Sequence, residues 1–438
     1  MTTLIYLAII IVLLVFGTAK YKLHPFLSLL SAALLIGFLS GLNFSVIIDA
    51  IQQGFGGTLK SIGIIIAFGT IIGVYLEKSG GAKTMADTVL KIIGEKKSPL
   101  AMNITGFIVS IPVFCDSGFV ILSSLNKALS KRTGIPLTVL AIALATGLYA
   151  THVFVPPTPG PLAAAATLGA DIGLVLIFGL IVAIPSSLAG LAWAIYSGKK
   201  YKSNFNGEEI VQQTGQQPSK GISFAPILIP IVLIALKSIA DYPTHPFGDD
   251  FVKSLFGFIG DPLIALFIGV LISFSLKKGS KGSHADWIVD GLKNAGVIIL
   301  ITGAGGAFGN VLRATDLGDF LGESLSSLNA GIILPFIIAA LLKTAQGSST
   351  VAIITTAAIV SPLLGSLGIE TETAKALAVL SIGAGAMTVS HLNDSYFWVV
   401  SQFSGLDTTT ALKTQTLATL MQGLLAIAVI FVLSLILL

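Results

Sequence analysis

Four ionisable side chains stand where the sequence is otherwise apolar: Asp116, His152, His391 and Asp394. An ionisable group inside a bilayer costs on the order of 3 kcal/mol on insertion scales, so each is a functional candidate by default. A carboxylate in a poorly solvated cavity is more easily protonated than in water, and imidazole titrates near neutral pH. The four are therefore candidates for proton coupling. The plainer reading of Asp116 and Asp394 is that they cap half-helix N-termini, where negative charge is favoured. For the histidines it is that a neutral imidazole bonds a carbonyl. Around them lie Ser117, Gly118, Thr158, Gln346, Ser348, Ser349, Thr350 and Asn393, which supply hydroxyls, amides and free backbone N–H groups. Such groups at restarting helix ends can hold a carboxylate without a buried cation, so these eight are the candidate substrate-binding residues.

The elements that must position these residues follow from the apolar runs. Of the 438 residues, 54% are hydrophobic and 11% charged, against about 25% charged in soluble domains. This is the composition of a polytopic membrane protein, with each span needing about 20 residues. The expected spans are 3–19, 24–41, 58–76, 134–170, 172–198, 223–240, 255–276, 287–312, 374–405 and 410–438. The stretch 99–126 has basic loops on both flanks, Lys91, Lys96 and Lys97 before it and Lys127, Lys131 and Arg132 after it. The positive-inside rule puts both flanks in the cytoplasm, so 99–126 must turn back within the bilayer. Pro112 and Asp116–Gly118 supply the turn, and buried extended backbone at that depth has to face protein or a watery cavity. Labelling tests this. Lys96→Cys and Lys131→Cys are both expected to react from the cytoplasm, and Glu370→Cys only from outside. Opposite-side labelling of the two lysine positions would turn the hairpin into a full span.

Pro156, Pro157, Pro159 and Pro161 interrupt the fourth span, since proline cannot continue a regular helix. The N-terminal run Leu4–Phe16 has no preceding positive charge and is followed by Lys20 and Lys22, so it reads as a retained span with its N-terminus outside. Three landmarks recur in order at nearly one separation: Gly69–Leu76 with Gly305–Leu312, Cys115-Asp116-Ser117 with Gln346-Gly347-Ser348, and the break after Thr151 with that after Ser390. Internal repeats fix architecture. The expected fold is all-α, with two inverted repeats of five spans. Each repeat has one re-entrant hairpin (99–126 and 331–360) and one broken helix. Residues 1–198 form the first repeat, 199–222 a cytoplasmic linker and 223–438 the second. That arrangement belongs to secondary transporters. Gly303, Gly305, Gly306 and Gly309 read as helix-packing positions.

The segments Pro112–Phe119, His152–Pro161, Ala345–Thr350 and His391–Trp398 resemble those of the gluconate permease (GntP) family of the ion transporter superfamily. The resemblance runs over nearly the whole chain. It implies a proton-coupled symporter for gluconate or a related sugar acid, working as an elevator, a homodimer in the bacterial plasma membrane. D-serine or glycerate as substrate, and sodium as coupling ion, are the alternatives. A membrane-embedded hydrolase is disfavoured because the polar residues form two sets rather than one nucleophile–base–orienter group; an anion channel stays open. No G-x-x-x-x-G-K-[ST] motif supports an ATP-driven pump. The lone Cys115 excludes a disulfide framework and a Cys-based zinc site. The expected partners are an organic anion, protons and lipid, with no cofactor, no metal and no nucleic acid.

Overall fold

The computed structural model describes residues 23–201, 217–240, 251–277, 283–315, 331–392 and 394–438, with isolated positions between 6 and 21 and at 203. Among them the chain is helical throughout, with no strand. In order the helices are α1 (Pro25–Leu39), α2 (Phe44–Lys78), α3 (Gly81–Ile93), α4 (Ser98–Val109), α5 (Cys115–Thr133), α6 (Leu137–Phe154), α7 (Pro159–Leu168), α8 (Ile172–Lys200) and α9 (Lys220–Ala240). They continue as α10 (Phe251–Ile259), α11 (Pro262–Ser273), α12 (His284–Arg313), α13 (Ile333–Gln346), α14 (Ser349–Val360), α15 (Glu372–Met387), α16 (Ser395–Phe403) and α17 (Thr408–Leu437). Six of the described spans are long and apolar enough to cross a membrane, and a seventh forms if α10 and α11 are joined.

Both expected hairpin stretches are pairs of helices meeting at a turn: α4 with α5, and α13 with α14. At 1.5 Å per residue, the 12 residues of α4 or α14 cannot cross an apolar layer about 30 Å thick,. Both expected broken spans are broken. The first is interrupted between α6 and α7, and the second between α15 and α16.

Three expectations need correction. The span placed at 255–276 is not continuous. It bends by 63° between α10 and α11, where Asp261 leaves the helical path and caps α11 by accepting from the Leu263 amide at 3.0 Å. The span placed at 58–76 begins much earlier, at Phe44. Helix α3 was not expected; it buries Ala82, Met85, Ala86, Val89 and Leu90 on one side. The first expected span and most of the 199–222 linker lie outside the described residues.

Helix α6 sits at the centre, with every residue from Leu137 to Phe154 buried. A helix apolar all round belongs inside a bundle. Lipid-facing positions such as Ile64, Ile184, Val232, Leu271 and Leu424 remain exposed on the outer helices.

Close helix contacts depend on missing side chains. A Cβ on Gly306 of α12 would lie 2.0 Å from the Thr58 hydroxyl of α2, and one on Gly303 would lie 2.6 Å from the Phe55 ring. Gly305 and Gly309 sit against Ile354 and Ala358 of α14. Small residues that let helices approach closely are the usual means of association in lipid, and the four glycines are packing positions as expected.

Candidate functional site

The two turns and the two breaks meet beside α6. At the first turn α4 stops at Val109, and the Ser110 hydroxyl donates to the Val113 carbonyl at 3.0 Å. Helix α5 restarts at Cys115 without a side-chain cap. Asp116 therefore does not cap it, and its Oδ1 is buried with no hydrogen-bond partner. Gly118 serves packing: a Cβ there would meet the Leu148 side chain at 2.7 Å. Ser117 lies part-buried in the first turn of α5.

At the first break the residues Val155 to Thr158 carry no helix, and the Pro156–Pro157 peptide is cis. The Thr158 hydroxyl turns back and donates to the Val155 carbonyl at 2.5 Å, so that hydroxyl secures the break itself. His152, buried one turn before the break, stacks near Tyr149 (centroids 6.4 Å, 14°) and lies 6.0 Å from the Phe114 ring of the first turn. Its Nδ1 is buried without a partner.

At the second turn α13 ends at Gly347, which adopts φ 85°, a left-handed conformation that a side chain would strain. The Ser348 hydroxyl accepts from the Val351 amide at 3.3 Å and caps α14. Ser349 is buried within hydrogen-bonding reach of Tyr149. Thr350 is half-buried one residue on, and the side chain of Gln346 lies outside what is described.

At the second break α15 stops at Met387 and Val389 takes φ 58°, a rare state for a β-branched residue. The following Ser390 is pinned on both sides. Its amide donates to the Thr419 hydroxyl at 2.9 Å, and its carbonyl accepts from Thr416 at 2.6 Å. Asp394 then caps α16, accepting from the Tyr396 amide at 3.0 Å and from the Ser390 hydroxyl. Asn393 lies outside the described residues. His391 does not match His152 in environment: it sits toward the outside of the bundle, with Nε2 3.0 Å from the Thr344 carbonyl.

One residue adds a buried cation to a cluster that the sequence reading builds from hydroxyls, amides and helix ends. Lys343 of α13 is fully buried, and its Nζ donates to Asp394 Oδ2 at 2.6 Å and to the Gly347 carbonyl. It is the sole charged residue in 331–360. The argument that singled out Asp116 and Asp394, applied to bases as well as acids, would have found it. Lysine is almost never fully buried unless paired. Asp116 and His152 both lie close enough to sense the charges of Asp394 and Lys343. Tyr396 links the second break to α6, its hydroxyl donating to the Ala145 carbonyl at 2.8 Å.

The structure thus brings together Asp116, His152, Ser349, Lys343 and Asp394. The Thr158 hydroxyl and Gly118 serve local structure, Ser348 caps α14 as an acceptor, and His391 is half-buried at the edge of the cluster, its carbonyl accepting from the Asp394 amide at 2.8 Å. A separate polar cavity of about 260 Å³ opens between α2, α12, α7 and α14, lined by Gln53, Thr58, Asn310, Arg313 and Ser361 among others. There Arg313 donates to the Thr167 carbonyl at 3.2 Å and to the Ser361 hydroxyl.

Comparison with known proteins agrees with a transporter. The chain is 35% identical to the gluconate permease of Pseudomonas aeruginosa, covering 95% of this chain and 94% of that protein. It is 34% identical to the D-serine transporter DsdX of Escherichia coli K12, covering 98% and 97%. In fold it resembles the YdaH transporter of Alcanivorax borkumensis, with a TM-score of 0.58, 14% identity, and 89% and 90% of the two chains covered. The model of the GntP family permeases matches residues 2–436, and the chain is a multi-pass membrane protein that belongs to this family.

Proposed function

We propose that the chain is a secondary transporter that imports gluconate or a related small hydroxylated carboxylate together with protons across a bacterial plasma membrane. The observation that carries this reading is the cluster at α6. A buried lysine supplies one positive charge for a carboxylate, and two buried polar atoms, Asp116 Oδ1 and His152 Nδ1, have no protein partner. Buried polar atoms are normally satisfied, so these two atoms suit the hydroxyl groups of a ligand or a transported proton. Family relatives named for gluconate support the substrate class.

The same cluster suits a second substrate. A zwitterion could place its carboxylate at Lys343 and its ammonium at Asp116, and a relative at 34% identity is named for D-serine.

The architecture we propose is two inverted repeats, 1–198 and 223–438, joined by the linker 199–222, in a homodimer. The turns, the breaks, α8 and α17 move as an elevator against α2 and α12. In that arrangement the Arg313 cavity is an external vestibule and the cluster is the carrying site. Gly73 and Gly69 face the first turn and break, where a Cβ would lie 2.6 Å from the Pro112 carbonyl and 3.3 Å from the Pro157 carbonyl. Such a thin-sided helix gives the moving part a smooth surface to travel against.

Counterflow in proteoliposomes tests the reading. Vesicles loaded with unlabelled gluconate are expected to accumulate labelled gluconate without an imposed gradient. Net uptake should follow a proton gradient and not sodium at fixed pH. Exchange of D-serine alone would select the second substrate, and no exchange of either would sink the carrier reading.

A further inference from the structure

The ion pair at the centre of the cluster joins two elements that are each held without it. On one side, Lys343 lies in the last turn of α13, where a cation is favoured by the helix dipole. Its ammonium also donates to the Gly347 carbonyl and stands 5.9 Å from the centre of the Tyr149 ring, within the range of a cation–π contact. On the other side, Asp394 is fixed by the Tyr396 amide at the start of α16 and by the Ser390 hydroxyl. Ser390 is in turn held by Thr416 and Thr419. Removing the contact between Lys343 and Asp394 would leave the carboxylate with two donors. It would leave the ammonium with one carbonyl and one aromatic face.

That independence matters because a buried ion pair is costly to break when one charge is left without a partner. The cost falls if another carboxylate takes the vacated position on the ammonium. The titratable groups that share the charges of this pair are Asp116 and Cys115 on α5, Tyr149 and His152 on α6, and Tyr396 on α16. Among these described side chains Lys343 is the single cation. An anion entering the cluster therefore has one charged partner available, and Asp394 already holds it.

We propose that Lys343 is the receptor for the substrate carboxylate and that Asp394 occupies this receptor as an internal competitor until the substrate displaces it. This rests on the carrier reading given above and adds to it the group that selects for an anion. The exchange forms one ion pair as it breaks another, so the number of buried charge contacts is unchanged. It also explains why a chain that transports anions keeps a carboxylate in its binding site. With Asp394 on the lysine, the empty carrier holds no unpaired buried cation as it moves.

Two isosteric variants test the exchange, with gluconate as the probe and gluconamide, its uncharged amide, as the control. Asp394→Asn preserves a side-chain oxygen for the Tyr396 amide, since asparagine caps helices about as well as aspartate. It removes the competing charge. This variant is expected to bind gluconate more tightly than wild type, by about tenfold, because the binding-competent lysine is no longer sequestered. The double variant Lys343→Met with Asp394→Asn leaves no unpaired charge and should fold, as judged by a monodisperse elution profile. It is expected to lose gluconate affinity by about tenfold to hundredfold, the loss of a hydrogen bond to a charged group, and to distinguish gluconate from gluconamide poorly. Equal or weaker binding by Asp394→Asn, or a double variant that binds as wild type does, would overturn the proposal, because the pair would then be structural. If wild type itself exchanges neither gluconate nor D-serine, it is the carrier reading that fails, and the two failures are told apart by that first measurement.

Discussion

Asp116→Asn is expected to abolish uptake driven by a pH gradient while leaving substrate exchange partly intact. Asp116 is half-buried with its Oδ1 sealed from solvent and without a protein partner, and it lies close enough to Lys343 and Asp394 to sense their charges. Lys343 is one positive charge against the carboxylates of Asp394 and the substrate, so a bound substrate leaves the cluster with one negative charge in excess whichever of the two holds the lysine. With Asp116 ionised, two anions confront each other. For charges about 4 Å apart the repulsion is about 4 kcal/mol at an effective dielectric constant of about 20, or roughly a thousandfold in affinity. With Asp116 protonated, the same contact becomes a hydrogen bond. On the proton-coupled reading proposed above, one proton would admit one anion. Asparagine fixes the admitting state, so substrate should enter and leave, but the proton gradient has nothing to act on. The measurement is labelled gluconate uptake under an imposed pH gradient, set beside counterflow at equal pH. A normal response of Asp116→Asn to the gradient would remove Asp116 from the coupling step.

Gly147→Val is expected to cost the protein its stable fold. A Cβ on Gly147 of α6 would lie 2.0 Å from the Asn103 carbonyl oxygen of α4 and 2.8 Å from its carbon. These are backbone atoms that cannot rotate aside. The facing Gly106 is equally confined, 2.6 Å from the Leu144 carbonyl. Between the same helices Asn103 donates to the Ala143 carbonyl at 3.0 Å and to the Thr146 hydroxyl at 3.2 Å, and its Oδ1 accepts from Ser187 of α8 at 2.8 Å. Forcing α4 and α6 apart breaks this network as well. Overpacking alone costs about 1–3 kcal/mol, and each buried polar group left unpaired adds about 1–3 kcal/mol more. Most of a marginal stability would be gone. Thermal unfolding of the purified protein in detergent should show a large drop or no transition. A melting temperature equal to that of wild type would mean that α4 and α6 do not approach as described.

Much of this architecture is legible in the sequence because membrane spans are written in long apolar runs and their interruptions in proline, glycine and charge. The turns at Pro112 and Gly347 fall where the sequence places them, and the helices stop at Phe154 and Met387, each within three residues of the expected break. What the sequence conceals has physical reasons. The bend at Gly260-Asp261 lies inside a run whose apolar content is continuous on both sides, so a single Asp does not interrupt the pattern of a span. Helix α3 alternates lysines with buried apolar residues, so it reads as a basic loop until its contacts show which face is buried. Lys343 stays hidden when only acids, hydroxyls and helix ends are sought, because a lysine in an apolar run reads as a loop or span-end residue. The fates of Thr158 and Ser348 could not be read from residue type: a hydroxyl that bonds its own turn and one that awaits a ligand have the same sequence signature. His391 shows the limit of matching positions between repeats, since equal spacing along the chain does not guarantee equal surroundings.

The pairing of Lys343 with Asp394 also orders events during synthesis. The lysine leaves the ribosome 51 residues before its partner. During that interval α13 carries a cation into the hydrocarbon at a cost of about 3 kcal/mol, with nothing acidic in 331–360 to offset it. The second turn is thus poorly suited to settle in the bilayer by itself. The charge that offsets the lysine, Asp394, is synthesised only with the start of α16. The buried lysine of α13 thus depends on a charge that lies later in the chain, at the start of α16. A chain that stops before residue 394 would present quality-control proteases with an uninserted lysine-bearing segment.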